Sequence, residues 1–368
     1  MRISNAKLFI DGSFTEGGIE FDDRIVSFGK DIKGGIDAQG GYVIPGLIDI
    51  HTHAAVGEDA SDGSPEGLEK MSVYYAKDGV TSWLPTTMTI GEDDLTKAMH
   101  AMRDFVRPKC GAKLAGVNLE GPFVSAKKCG AQNPKFIKVP DADMFFRLNE
   151  ASGGKVRLVT VAPEEPGSAE FIKTVSGTCT VSVGHTSADY DTAIRAFEAG
   201  ASHATHLFNA MPPLHHREPG VIAAASDAGA TVELITDGFH IHPAVVRLVH
   251  RLFGEKLVLI SDSLRCAGMP DGEYELGGQP ITMKNGKATL SGTDTLAGSS
   301  VHLMEGLRRA VSFGVPLEAA VKAATFAPAK AVGLENEIGS IKKGRFADLV
   351  LLDKELNVKQ VFINGQIV

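Results

Sequence analysis

Histidine and carboxylate side chains stand directly after short apolar runs of the sequence, where a metal-dependent reaction would need them. The run 43–50 (VIPGLIDI) is followed by His51 and His53. A spacing of two places both imidazoles on one side of an extended strand, about 6–7 Å apart. This pattern predicts two ligands for one metal ion, and the alternative is a pair of hydrogen-bonded histidines with a structural role.

A second group of metal-ligand side chains follows three further apolar runs. Glu120 comes after LAGVNL and is followed by Gly-Pro, which stops a strand at that point, while His185 and His206 lie at the ends of two later runs. Each of these residues alone is typical of a solvated or structural side chain. Together they form a three-ligand set with an open coordination position, as a hydrolytic metal ion requires.

Polar residues after the remaining runs supply other groups that a hydrolase needs. Asp262 follows KLVLIS, and we predict that it is the general base that accepts a proton from water. His240 follows the seventh run, and we predict that it contacts the substrate. Asp237, which begins the turn before it, is another polar group after the same run, and the alternative is that it simply orients the loop, because aspartate before glycine is common in turns.

The loop 208–220 (FNAMPPLHHREPG) carries residues suited to binding an anion. In a chain with a net charge of −8, Arg217 would bind a phosphate together with Asn209 and the backbone N–H of Ala210. The alternative is an exposed basic turn. The segment 295–299 (TLAGS) has small residues that would let a ligand approach the backbone closely.

Eight apolar, β-branched runs alternate with helical patterns, which indicates repeated βα units around a parallel sheet. The runs lie at 43–50, 80–85, 114–119, 156–161, 179–184, 201–206, 231–236 and 256–261. Eight such strands predict a (β/α)8 barrel, in which the carboxyl ends of all strands share one face. The candidate residues would therefore meet at that face.

Both ends of the chain contain short alternating segments broken by glycine and aspartate. Neither end has enough strands to bury a sheet face alone, so we predict one small β-sandwich formed from both termini. Its two parts are predicted at residues 1–42 and 336–368, with the barrel at 43–335. An Asn-Gly pair at 285–286 between apolar runs predicts a β-hairpin after the eighth strand.

Composition excludes several classes of protein. The 368 residues are 43% hydrophobic and 22% charged, which excludes a disordered or coiled-coil chain. The acidic net charge argues against a nucleic-acid partner. The sequence has no stretch typical of a signal peptide or a membrane span, and its four cysteines lack disulfide or zinc-knuckle spacing. We therefore expect a cytoplasmic protein with no membrane partner.

Longer motifs make the sequence resemble a known family. PGLIDIHTH and, much later, GSIKKGRFADLVLLD are similar to the metal-dependent amidohydrolase superfamily. LEGPFVSAKKCGAQNP, VSVGHTSADY, THLFNAMPPLHHREPG, TDGFH and TLAGS resemble its N-acetylglucosamine-6-phosphate deacetylase family, over nearly the whole chain. The resemblance implies a barrel with a β-sandwich from both termini, in a homodimer. It implies a hydrolase of amino-sugar catabolism that converts N-acetyl-D-glucosamine 6-phosphate to D-glucosamine 6-phosphate and acetate.

The same resemblance implies roles for single residues. One or two divalent ions (zinc, iron, manganese or cobalt) would be bound, the principal ion by Glu120, His185 and His206, and a second by His51 and His53. Asp262 would be the catalytic acid and base, and Gln132 would donate to the acetyl oxygen. The sugar phosphate would be bound by Ala131, Asn209, Ala210, Arg217, His240, Leu296, Ala297 and Gly298.

Some features depart from the family pattern. Alanines at 54–55 replace frequent glycine, Asn118 replaces a histidine, and Asp262 lies in SDS rather than TDA. VTVAPE lacks the lysine that bridges two metals in many relatives, so Glu120 would take that role. Three alternatives stay open: a deacetylase of another N-acetylhexosamine phosphate such as N-acetylgalactosamine 6-phosphate, a cyclic amidase or deaminase, and a barrel that binds no metal. The absent lysine and the HREPG loop argue against the second.

Overall fold

The computed structural model describes residues 1–368 as a chain of strands that alternate with helices through its middle. The strands are β1 (Arg2–Ile10), β2 (Ser13–Phe21), β3 (Ile25–Gly29), β4 (Ile36–Asp37), β5 (Tyr42–Pro45), β6 (Leu47–Thr52), β7 (Ala54–Ala55), β8 (Glu58–Asp59), β9 (Val80–Thr87), β10 (Lys113–Leu114), β11 (Val117–Leu119), β12 (Val156–Val161), β13 (Thr180–Val183), β14 (His203–Ala204), β15 (Thr231–Ile235), β16 (Leu257–Ile260), β17 (Gly272–Leu276), β18 (Gln279–Lys284), β19 (Lys287–Leu290), β20 (Leu349–Leu352), β21 (Val358–Ile363) and β22 (Gln366–Ile367). The α-helices are α1 (Pro65–Lys77), α2 (Glu92–Asp104), α3 (Ala142–Ala151), α4 (Ser168–Val175), α5 (Tyr190–Glu198), α6 (Gly220–Asp227), α7 (Pro243–Phe253), α8 (Leu303–Ser312), α9 (Leu317–Ala324) and α10 (Phe326–Ala331).

The central sheet is a ring of parallel strands. β6, β9, β11, β12, β13, β14, β15 and β16 pair in that order, with the short β10 also on β9. The ring closes between its last and first strands, where Asp262 N donates to His51 O at 2.9 Å and His53 N donates to Ser263 O at 3.1 Å. The predicted (β/α)8 barrel is confirmed.

Helix α2 illustrates why these segments fold as they do. Leu95, Ala98, Met99 and Met102 recur at helical spacing, and all four are buried against the barrel. Acidic residues at 92–94 lie in its first turn, where the helix dipole favours negative charge. No helix of the chain combines the length and the apolar character needed to cross a membrane.

Both termini contribute to one further sheet, which confirms the prediction that the two ends of the chain form one β-structure. Its strand order is β22-β21-β20-β5-β1-β2-β3, with β4 beside β1, so the C-terminal strands join the N-terminal ones through β20 and β5. Val350 and Leu352 of β20 share a buried apolar cluster with Leu47 and Val80 of the barrel. This contact fixes the terminal sheet on the barrel. The domain limits 1–42, 43–335 and 336–368 stay a prediction.

The structure divides the first apolar run, which the sequence predicts as one strand. Residues 42–45 form β5 in the terminal sheet, and residues 47–52 form β6 in the barrel. The backbone changes sheets at Gly46, whose N–H donates to Asp348 O at 2.8 Å, whereas Leu47 N donates to Gly79 O at 3.0 Å. The sequence does not show this boundary, because both halves of the run are apolar and each half is buried in its own sheet.

The hairpin predicted at Asn285-Gly286 is confirmed. It joins β18 to β19, and β17 extends the pair to a three-stranded antiparallel sheet. Both turn residues have positive φ, 52° and 74°, as a two-residue hairpin turn requires. The segment that follows it carries Leu296 and Gly298 to the mouth of the barrel.

Candidate active site

The candidate ligands converge at the carboxyl ends of the barrel strands. They lie at or just after the ends of β6, β11, β13, β14 and β16, and all are buried to at least nine-tenths of their surface: His51, His53, Glu120, His185, His206 and Asp262. In the sequence they lie up to 211 positions apart, from His51 to Asp262. Their convergence follows from the parallel barrel, in which all carboxyl ends share one face.

Glu120 lies at the centre of the first set of ligand atoms. Its Oε1 is 3.0 Å from His206 Nε2 and 3.2 Å from His185 Nε2, and these two nitrogens are 3.0 Å apart. His51 Nε2 also lies 3.3 Å from the same oxygen. Four ligand atoms from four strands therefore surround one small volume.

A second set lies on the other side of Glu120. His53 Nε2 is 3.1 Å from Glu120 Oε2 and 3.3 Å from Asp262 Oδ1. His51 Nε2 is 3.3 Å from His53 Nε2 and 3.6 Å from Asp262 Oδ1. His51 thus belongs to both groups of side chains whose ligand atoms lie close enough to hold a metal ion, which are His51, Glu120 and His206, and His51, His53 and Asp262.

The tautomers of the histidines fit a cation at this centre. Nδ1 of His185 lies 3.0 Å from the Lys128 carbonyl and Nδ1 of His53 lies 3.2 Å from the Thr86 carbonyl. A carbonyl only accepts, so each Nδ1 carries a proton, and in the neutral imidazole that binds a metal ion each Nε2 then presents a lone pair to the cluster. Ligands held about 2.0–2.2 Å from a metal ion lie about 3 Å from one another, which matches these separations.

The electrostatics of the cluster favour positive charge. Burial disfavours the charged form of His53, but its hydrogen bonds to Asp262 and Glu120 raise its pKa to about 9. Burial alone would raise the pKa of Glu120, yet the charges of His51 and His185 hold it well below its usual value. The carboxylates therefore stay ionised and attract cations.

Local sequence explains how two of the ligands reach this position. Gly121 follows Glu120 with φ of 84°, and a Cβ there would lie 2.0 Å from Thr89 Oγ1. Gly184 precedes His185, and a Cβ there would lie 2.5 Å from Thr205 Cβ. Glycine is required at both positions because the chain turns off the strand against a neighbouring strand.

The backbone at the site is strained. His185, His206 and Asp262 have positive φ values of 45°, 26° and 49°, and Phe208 and Ala210 in the following loop have 76° and 49°. Non-glycine residues in this region cost of order 1–3 kcal/mol each and cluster at functional sites. The strain supports the assignment of this face as the site.

A cavity of about 480 Å³ opens above the cluster. It brings together most of the residues that the sequence predicts: His53, Glu120, Ala131, Gln132, His185, His206, Asn209, Ala210, His240, Asp262, Leu296 and Gly298. His51 and Ala297 are fully buried behind its wall. The sequence pattern therefore located the cavity as well as the cluster at its floor.

Two polar side chains in the cavity already have partners. Gln132 Nε2 donates to Glu120 Oε2 at 2.6 Å, and its Oε1 accepts from Thr89 N at 2.7 Å, which fixes the amide orientation. Asp237 lies 2.7 Å from His240 Nδ1, and its other oxygen accepts from the His240 backbone N–H at 2.9 Å. Asp237 therefore orients His240 at the cavity wall.

Comparison with known proteins identifies the family. The sequence profile described as the amidohydrolase family matches residues 42–368. N-acetylglucosamine-6-phosphate deacetylase of Bacillus subtilis (strain 168) is 38% identical over 348 residues, which cover 92% of this chain and 87% of that protein. The chain belongs to the amidohydrolase family.

Other relatives of this amidohydrolase include both epimer classes. N-acetylgalactosamine-6-phosphate deacetylase of Escherichia coli O157:H7 is 36% identical over 332 residues, 88% of this chain and 86% of that protein. The structure of N-acetyl-D-glucosamine-6-phosphate deacetylase from Mycobacterium smegmatis superposes with a TM-score of 0.93 at 34% identity, over 100% of both chains. The resemblance that the sequence motifs indicate is confirmed.

Arg217 lies outside the cavity of this amidohydrolase. It lines a separate surface cavity with Asp189, Tyr190 and Glu218, and its Nη1 lies 2.8 Å from His216 Nε2. The sequence could not place it, because the proline-rich loop has no periodicity that fixes its direction. The basic residues that do line the active-site cavity are Lys127 and Lys128.

Sequence reasoning missed those two lysines and two polar residues inside the barrel. The lysines stand in AKKCGA, just before the predicted contact Ala131, and this adjacency was the available signal. Glu233 and His203 lie fully buried in β15 and β14. A glutamate in the middle of the apolar run TVELIT is the signal that could have found the first of them.

Proposed function

We propose that this amidohydrolase removes the acetyl group from N-acetyl-D-glucosamine 6-phosphate and yields D-glucosamine 6-phosphate and acetate. The observation that carries the proposal is the cluster of buried imidazoles and carboxylates at the floor of a cavity of sugar-phosphate size. Relatives with this activity in their names match about nine-tenths of the chain. The second candidate is N-acetylgalactosamine 6-phosphate, because a similarly close relative carries that name.

We assign the metal ligands as follows. Glu120, His185 and His206 hold the principal ion, and His51 and His53 form a second site beside Asp262. Zinc, iron, manganese and cobalt all suit imidazole and carboxylate ligands. When bound, such an ion lowers the pKa of water toward neutrality and polarises the amide carbonyl.

The protein groups then carry the proton transfers. Asp262 accepts a proton from the attacking water and delivers it to the departing amine, so that one carboxylate acts first as base and then as acid. Gln132 keeps one Nε2–H on Glu120 and its Oε1 on the Thr89 backbone N–H, and donates its second Nε2–H to the acetyl oxygen, where negative charge grows in the transition state. These donors are held in place before reaction, which limits the cost of reorganisation.

The phosphate end of the substrate lies at the rim of the cavity. We assign its contacts to Asn209, the backbone N–H of Ala210, His240 and the backbone between Leu296 and Gly298. Arg217 of the same chain is outside this cavity. In the cytoplasmic homodimer that we propose, Arg217 would serve the cavity of the neighbouring subunit.

The experiment measures release of free amine from three sugars by protein of known metal content. These are N-acetylglucosamine 6-phosphate, its unphosphorylated form and N-acetylgalactosamine 6-phosphate. Rapid release from the first alone supports both the reaction and the phosphate contacts. Release only from N-acetylgalactosamine 6-phosphate would show that this epimer is the substrate. If the protein binds metal but releases amine from none of the three sugars, the proposed deacetylase activity is wrong and the proposed metal centre stands.

A further inference from the structure

Glu233 is a buried carboxylate that the proposed mechanism does not use. It lies in the middle of β15, and none of its surface is exposed. Its Oε2 is 2.8 Å from His51 Nδ1 and accepts from the backbone N–H of His206 at 3.0 Å. Its Oε1 is 3.1 Å from His203 Nε2. One carboxylate therefore contacts two candidate metal ligands that come from the first and sixth strands of the barrel.

The contact with His51 determines where the proton of this imidazole lies. An ionised carboxylate only accepts hydrogen bonds, so His51 carries its proton on Nδ1. Its Nε2 then presents a lone pair, and this atom lies 3.3 Å from Glu120 Oε1, at the centre of the cluster. The ring orientation follows as well, because the Nδ1–H must point at Glu233.

The contact with His206 stabilises a strained backbone conformation at that residue. His206 has φ of 26°, which a non-glycine residue rarely adopts. Its N–H, buried at this position, has Glu233 Oε2 as its acceptor. A buried carboxylate with three donors around it is stable in the barrel, whereas a buried charge without them is not.

We propose that Glu233 is a positioning residue that sets the Nδ1–H tautomer and the orientation of His51 and thereby raises the affinity of the centre for a divalent cation. Carboxylates behind metal-binding histidines act in this way in general. The inference rests on the proposed metal centre. It predicts that Glu233 affects metal affinity although it touches neither metal nor substrate.

The test uses the full-length protein and zinc as the probe, with affinity measured by competition with a chromophoric chelator. Glu233→Met has similar length but no acceptor, and it should lower zinc affinity about 10–100-fold. Glu233→Gln keeps an acceptor oxygen without the charge, and its affinity should lie between those of the Met variant and the wild type. Equal affinities in all three proteins would overturn the proposal.

Asp49→Asn is the matched control. Asp49 is also a buried carboxylate in the barrel, and it accepts from the backbone N–H groups of His51 at 3.3 Å and Ser261 at 3.4 Å. It contacts no imidazole ring of the centre. Its substitution should leave zinc affinity within about twofold, and a loss as large as that of Glu233→Met would overturn the proposal, because replacing a buried carboxylate without an imidazole contact would then have the same effect.

A double-mutant cycle separates positioning from packing. If Glu233 acts through His51, then Glu233→Met should have a much smaller effect on zinc affinity in a His51→Ala background. An undiminished loss in that background would overturn the proposal. Wild-type protein that binds no zinc would instead overturn the metal centre, so the two failures are distinguishable.

A measurement on the wild type covers the case in which Glu233→Met does not fold. In zinc-loaded protein with ¹⁵N-labelled histidine, nuclear magnetic resonance reports which ring nitrogen carries the proton. We expect His51, identified by its loss in His51→Ala, to carry it on Nδ1. A proton on Nε2 would overturn the assignment.

Discussion

Asp262→Asn removes the proposed acid and base without changing the size of the side chain. The backbone of Asp262 closes the barrel, with its N–H on His51 O at 2.9 Å and its carbonyl accepting from Ser299 N at 2.7 Å. Its φ of 49° lies in the left-handed region, which asparagine adopts as readily as aspartate. We therefore expect the variant to keep the fold and melt within a few degrees of the wild type.

The expected loss is in turnover. Removing a positioned general acid or base slows a reaction by about 10²–10⁴-fold, which corresponds to about 2.7–5.4 kcal/mol of transition-state free energy. Asp262 Oδ1 also lies 3.3 Å from His53 Nε2, so the substitution weakens the second metal site. The assay is therefore amine release at saturating metal, with the metal content of each protein measured.

Asp49→Asn serves as the control for the loss of a buried carboxylate. Burial raises the pKa of Asp49 to about 7, so part of this side chain is protonated near neutral pH. The asparagine amide resembles that neutral, protonated form. We expect turnover close to that of the wild type. The role of Asp262 would be refuted if its asparagine variant turned over within tenfold of the wild type at equal metal content.

Four further results are expected. Gln132→Leu should lower turnover about 10²–10³-fold with little change in metal content, measured by amine release. Tyr75→Phe should cost about 1–2 kcal/mol in denaturant unfolding, because Thr52 and the Ala54 carbonyl lose a buried partner. Burial would raise the pKa of Asp237, but its hydrogen bonds to His240 hold this pKa below its usual value. The ionised carboxylate therefore stabilises the folded protein, and this stabilisation is lost as the pH falls through the lowered pKa. Asp237→Asn should reduce the loss of unfolding free energy at acid pH, measured by denaturant unfolding at a series of pH values. Removal of the metal with a chelator should lower the free energy of unfolding by about 2.7 kcal/mol, compared with protein in the presence of free metal at a hundred times its Kd. Calorimetry measures this difference.

The sequence was sufficient to predict those site residues whose position depends only on the order of the strands. His185 and His206 each end an apolar run, and parallel strands bring such ends to one face whatever their separation in the chain. The same argument located Glu120 and Asp262. It needed the period of the strands and the count of eight, and both can be read from the chain.

The sequence was insufficient where function depends on register or on loops. The contact of Glu233 with His51 joins residues 182 positions apart and requires the registers of two strands across the barrel. Arg217 lies in a loop whose direction is set by tertiary packing, and the sequence predicted it at a mouth that it does not reach within its own chain. The division at Gly46 was hidden because both of its flanking strands are apolar.

The groups proposed for chemistry also close the barrel. β16 and β6 meet through the backbone of Asp262 and His51, and Thr52 Oγ1 lies 2.7 Å from Ser263 Oγ just beside them. A cation held by His51, His53 and Asp262 would link the first and last strands at the point where they share no continuous ladder of hydrogen bonds. Metal binding at this site would therefore be coupled to closure of the ring. Because closure also sets the position of Asp262, an ion at this second site would hold the proposed acid and base in place.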